Sequence, residues 1–290
     1  MNRFFALIGA LLLAFISISS ACTAAPAGLF HFTLEPDHGN ERIKASFRNE
    51  NRPNHDNNWS TGFRPSELVG LDLAGFRGAG SRPVRFAVIR EAGRLDCSGN
   101  GGQSYAAGNC SFTRDPAFAE LLRSHGIGNP TDDQAFGLMA VNARREVIDA
   151  VAAERYPTPS INDLMALSAL RVDAAYIRNM AASGYRPESI DALIQFKALD
   201  ITPAWIAGFS RIGYSRLPAS DLVQLKALGI TPEFVAGFDR IGYGHLPVNE
   251  LVQLKALDIT PDFVQRVAAA DSSLPPVNKL VELKTFGRRH

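Results

Sequence analysis

Four lysines, Lys197, Lys226, Lys255 and Lys284, follow one another at a constant interval (226 − 197 = 29). A row of ammonium groups at fixed spacing has the chemistry to track a polyanion such as an acidic glycan. A lysine in the last turn of a helix also complements the helix dipole and the free carbonyls there. The local sequence favours that structural role, and Asp200, Asp258, Glu233 and Asp262 lie close enough to dilute a positive field. Arg211 and Arg240 form a shorter matched pair, with Ala182 and Ala269 at the flanking positions. They are candidate binding residues because only the middle of the series carries them.

Catalytic signatures are not apparent. The chain has no G-x-S-x-G elbow, no P-loop and no H-E-x-x-H. Its six histidines, His31, His38, His55, His125, His245 and His290, are scattered. A distant His and Asp can still meet in space, so an enzyme site remains an alternative. The loop "NENRPNHDNNW" offers oxygen ligands for a calcium ion but lacks EF-hand spacing and its central glycine, so it reads as a surface loop. No metal and no cofactor are expected.

Cys97 and Cys110 bracket a Gly- and Asn-rich stretch that cannot be a helix, and strand-like residues flank both. In an oxidising compartment they form a cross-hairpin disulfide, which contributes on the order of 3 kcal/mol by closing a short loop. That compartment is implied by the first residues. Arg3, the apolar run "FFALIGALLLAFISI" and the small residues after it have the form of an export signal, assigned to residues 1–25. Cys22 is a lipidation candidate, but Ser19 stands where lipoprotein signals carry an aliphatic residue. Cleavage just beyond Cys22 is the favoured reading. Membrane attachment follows only if Cys22 is lipidated or the segment is retained. The net charge of +1 and pI of about 7.8 exert no general pull towards nucleic acid.

The elements that must carry these residues fall into two halves. Residues 26–115 read as a small antiparallel β domain: "LFHFTLE", "RIKASFRNE" and "RPVRFAVIREAG" alternate apolar and polar residues. The stretch "NENRPNHDNNWSTG" between them reads as loop throughout, with Trp59 and Phe63 as core or rim aromatics. Residues 116–128 form a connecting helix, which Asp115 caps and Gly126 or Gly128 ends. From 129 to 290 the helical period takes over in units of 29 residues, with equivalent starts at Leu164, Leu193, Leu222, Leu251 and Leu280 (251 − 222 = 29).

Within one unit, Leu222, Val223, Leu225 and Leu228 should form the buried side of a first helix that Gly229 breaks. Thr231 caps a second helix with Pro232 in its first turn, and Gly242 stops it. Thr202 and Thr260 repeat that arrangement. Two aromatic columns, Tyr176, Trp205, Phe234, Phe263 and Tyr156, Tyr185, Tyr214, Tyr243, read as the contact between units. The weak first unit starts near Ala135, and Arg288, Arg289 and His290 supply a polar end. The fold class expected is therefore α+β, a small antiparallel β domain followed by an α-helical hairpin solenoid.

The repeat, "L-x-x-L-K-A-L-G-I-T-P-E-F-V-x-x-F", resembles those that follow the membrane zinc-peptidase part of some proteins of the beta-lactam-sensor type, and those of some exported proteins. "PSELVGLDLAGF", "PVRFAVIREAGRLDCSG" and "GNCSFTRDPAFAELLRSHG" are similar to the small β unit that precedes such repeats. The likeness spans residues 60–290. This chain carries neither the zinc motif nor a set of membrane helices, so the resemblance implies a recognition module and no peptidase. The expected function is a non-enzymatic exported module that binds a protein or peptide partner in the cell envelope. The alternatives are a glycan or polyanion binder using the lysines, and an enzyme with a site at the junction of the two halves.

Overall fold

The computed structural model describes residues 28–37, 41–49, 58–271 and 273–287. The export segment with Cys22, most of the Asn-rich loop, His38, His55 and the terminal Arg288, Arg289 and His290 lie outside the described residues. Among the described residues, no helix is long and apolar enough to cross a membrane.

The first half is one six-stranded sheet: β1 (Gly28–Pro36), β2 (Ile43–Asn49), β3 (Asn58–Phe63), β4 (Arg82–Arg90), β5 (Gly93–Gly102) and β6 (Tyr105–Arg114). Its order is β3-β2-β1-β6-β5-β4 and the paired strands are antiparallel. Side chains alternate between faces along a strand, so Phe30, Phe32 and Leu34 of β1 and Ile43, Ala45 and Phe47 of β2 bury one face. Residues between them, such as Thr33 and Ser46, point the other way. Cys97 and Cys110 stand directly opposite in the β5–β6 register and are joined by a disulfide, with α-carbons 4.0 Å apart. The Gly-rich stretch between them is mostly strand. Only Gln103 and Ser104 turn, both with positive φ, as a two-residue hairpin loop requires.

"NWSTGF" is not loop but the edge strand β3, with Asn58 to Phe63 paired to β2. Its polar residues suit an edge, where one side of the ladder meets water. Phe63 is buried and Trp59 half-buried, with its ring 4.9 Å from that of Phe47.

After the sheet's short helix α1 (Leu73–Arg77) comes α2 (Pro116–Ser124), where the Asp115 side chain accepts the Phe118 amide. Then helices pair in succession: α3 (Asp132–Ala140) with α4 (Arg145–Ala153), α5 (Ile161–Ala169) with α6 (Ala174–Ala182), and α7 (Ile190–Ala198) with α8 (Pro203–Arg211). The series continues through α9 (Ala219–Ala227) and α10 (Pro232–Arg240), α11 (Val248–Ala256) and α12 (Pro261–Asp271), and α13 (Val277–Phe286). Most of these helices have nine residues, too few to persist alone in water. They are held by stacking: α3, α5, α7, α9, α11 and α13 touch in sequence, and α4 lies against α6.

Thr202, Thr231 and Thr260 each accept an amide three residues on. The turn inside each unit passes through a left-handed residue at one repeating position, Asn142, Arg171, Asp200, Gly229 and Asp258. Gly184, Gly213 and Gly242 do the same after α6, α8 and α10. Within the reference unit Leu222 and Leu225 are buried as expected. Val223 is half-buried, and Leu228, expected to be buried, is instead 38% exposed at the C-cap of α9.

The two halves share a core. Phe136 of α3 stacks on Phe30 at 4.1 Å and meets Phe112 and Trp59 edge-on. One buried cluster runs from the sheet as far as Leu222, and a second continues from Phe209 to Leu280.

Candidate functional site

The repeated charges find partners inside the stack. Each lysine stands in the last turn of a first helix, half-buried, with its Nζ over an aromatic ring from the second helix of the preceding unit. The distances to the ring centroids are 4.7 Å for Lys197 on Tyr176, 5.2 Å for Lys226 on Trp205, 5.1 Å for Lys255 on Phe234 and 4.9 Å for Lys284 on Phe263. Lys284 also donates to the Asp258 carbonyl at 3.0 Å. The lysine and aromatic columns are thus one ladder of cation–π contacts, each worth about 0.5–2 kcal/mol. They clamp neighbouring units together.

The second aromatic column fastens the units at another seam. The Tyr214 hydroxyl donates to the Leu246 carbonyl at 2.7 Å and that of Tyr243 to the Pro275 carbonyl at 2.5 Å. Burial raises the hydroxyl pKa of both. At the head of this column the Tyr156 ring lies under the Arg186 guanidinium, and its hydroxyl is buried with no hydrogen-bond partner. Burial pushes that hydroxyl up to about 12, against the opposing pull of Arg186.

Arg211 and Arg240 are exposed at the ends of α8 and α10. Arg240 Nε donates to the Ala236 carbonyl at 3.2 Å. The Glu233 carboxyl accepts from its own amide and from the Thr231 hydroxyl, lies near Arg211, and is held below the usual carboxylate range. Both arginines border seams where helices come unusually close. A β-carbon at Gly208 would stand 2.8 Å from Pro232 Cγ, and one at Gly237 would stand 2.9 Å from Pro261 Cγ. These glycines are where the next unit's first-turn proline seats.

What the stack leaves open is a strip along the first helices. Gln195, Gln224 and Gln253 recur at the repeat interval, all exposed, and Glu282 continues the row. Ala198, Ala227 and Ala256 lie one turn on, also exposed, and Asp191, Ser220 and Asn249 lie one turn back. Residues three and four apart share a helix face, so each helix presents a short side chain, an amide and an alanine in line. The glutamine amides make no side-chain hydrogen bond within the described structure. Each can donate and accept. The sequence carries this row in "LIQFKAL" and two copies of "LVQLKAL", one position from the buried aromatic or leucine and two from the lysine.

Among the described residues, no group of three or more His, Cys, Asp or Glu side chains comes together. The described histidines stand apart. His125 faces Asp149 at 3.5 Å, His245 stacks on Tyr214 at 3.9 Å, and His31 meets Asn109 at 3.3 Å. A cavity of about 590 Å³ does open at the junction of sheet and repeats, lined by arginines and two carboxylates and by no histidine. No family model, curated protein or solved structure matches the chain.

Proposed function

We propose that the chain is a non-enzymatic recognition protein that holds an extended peptide segment of a partner along the first-helix strip. The observation that carries this reading is the row Gln195, Gln224 and Gln253, exposed and with side-chain amides that no described residue hydrogen-bonds, flanked by small residues at each step. Packed helices lie roughly 8–10 Å apart, and an extended chain rises about 3.3 Å per residue. A strand laid across the stack therefore meets one glutamine about every third residue. A side-chain amide satisfies a peptide N–H and C=O together, and the alanines let the backbone come close. The lysines, turned onto rings, give the glycan alternative less support.

Export to an oxidising compartment belongs to the same proposal. It is supported by the Cys97–Cys110 disulfide and by the signal-like first residues.

Selection of unstructured peptides from a displayed library on the full chain tests the reading. A selected peptide is expected to slow amide exchange in α7, α9 and α11. Changing Gln195, Gln224 and Gln253 together to Ala should weaken it by about tenfold or more, since each lost hydrogen bond contributes about 0.5–1.5 kcal/mol. A selection that enriches nothing, or peptides indifferent to the triple change, rules the strip out.

A further inference from the structure

The junction cavity of about 590 Å³ gathers Arg42, Arg64, Arg90, Arg144 and Arg171 from five separate stretches of chain. Only two carboxylates line it, Glu67 and Asp173, and Glu146 pairs with Arg144 from outside, which leaves an excess of two positive charges (5 − 3 = 2). Both carboxylates are engaged by backbone. Glu67 accepts the Arg64 amide at 2.7 Å, with the Arg64 guanidinium at 3.5 Å, and Asp173 accepts the Tyr176 amide at 2.7 Å as the cap of α6.

The arginines differ in how far they are spent. Arg90 is half-buried, donates to the carbonyls of Met139 and Ala140 at 2.7 and 2.5 Å, and lies over Trp59 and Phe63. It builds the wall. Arg144 pairs with Glu146 at 3.0 Å, and Arg42 donates to the Gly62 carbonyl. Arg171 has no ion pair or side-chain hydrogen bond with a described residue. It also occupies the left-handed turn position, φ 56°, that Asn142, Asp200, Gly229 and Asp258 fill in the other units. Glycine, Asn and Asp accept that backbone readily, whereas an arginine there is mildly strained.

We propose that this cleft binds a small oxyanion ligand of two or more negative charges, a polycarboxylate or a phosphate. Guanidinium groups present paired N–H donors that match carboxylate and phosphate oxygens. Concave walls of low dielectric concentrate the field of unbalanced charges. The volume falls in the range of small-ligand sites. Different residues form the peptide strip, so this site stands or falls independently of it.

Calorimetric titration of the full chain with citrate, and separately with inorganic pyrophosphate, at low ionic strength tests the proposal. At least one should bind saturably, and which one does separates carboxylate from phosphate preference. Arg171→Gln is expected to weaken binding about tenfold, as loss of a charge-assisted hydrogen bond does. Arg171→Gly, which suits the left-handed backbone, should weaken it equally and guards against misfolding. Lys226→Gln should leave it unchanged. Saturable binding by neither anion, or binding that survives both Arg171 variants, overturns the site.

Discussion

At the scale of single residues, most conspicuous side chains are occupied with one another. The lysines and Tyr176, Trp205, Phe234 and Phe263 read separately in the sequence as charge and as core. Their offset of 21 positions (197 − 176 = 21) carries no local signal, so their pairing was not legible. Tyr156 is the exception to this mutual satisfaction, having a buried hydroxyl without a partner. Removing an unsatisfied buried polar group while keeping the ring, as Tyr156→Phe does, should raise stability by about 1 kcal/mol in denaturant titration. The pH dependence has a defined sign. Burial pushes the folded hydroxyl up to about 12, from the ordinary tyrosine value of 10.0 that the unfolded chain keeps. Its contribution is whole below pH 10 and is lost as pH rises through 12. Tyr156→Phe should therefore be less sensitive than the parent to alkali in that window.

At the scale of elements, the caps and breaks of the repeat were readable because they are local chemistry. Thr231 with Pro232 opens α10 and Gly242 closes it, each by residue type. The strand β3 escaped notice because an edge strand needs no run of apolar residues, and Ser60 and Gly62 look like loop. Gly208 and Gly237 were equally silent, since a glycine inside a helix gains meaning only from what lies against it. Gly237→Val should cost about 2 kcal/mol by forcing Pro261 off its seat. The same change at exposed Ala207 should cost less than about 0.5 kcal/mol, apart from the small propensity loss of a β-branched residue. Chemical denaturation of the two variants makes the comparison.

On the scale of the whole molecule, sequence period divides the chain near residue 115, but packing does not. Phe136 of the first unit sits among the sheet aromatics Phe30, Trp59 and Phe112, so the array begins on a fixed base. That contact joins residues some hundred positions apart (136 − 30 = 106), beyond what periodicity reveals. The same long-range folding makes the arginine cleft, whose members lie in unrelated stretches. By contrast, the amide strip is as local as the repeat itself. Excision of residues 222–250 joins Asp221 to Leu251, equivalent to its normal neighbour, and removes one 29-residue step. The decisive measurement is peptide affinity against peptide length for the parent and this shortened chain. A ladder of like units predicts that the shortened protein still folds and that its affinity stops rising about three residues sooner. An unchanged plateau, or collapse of the helical fold on losing one unit, would contradict it.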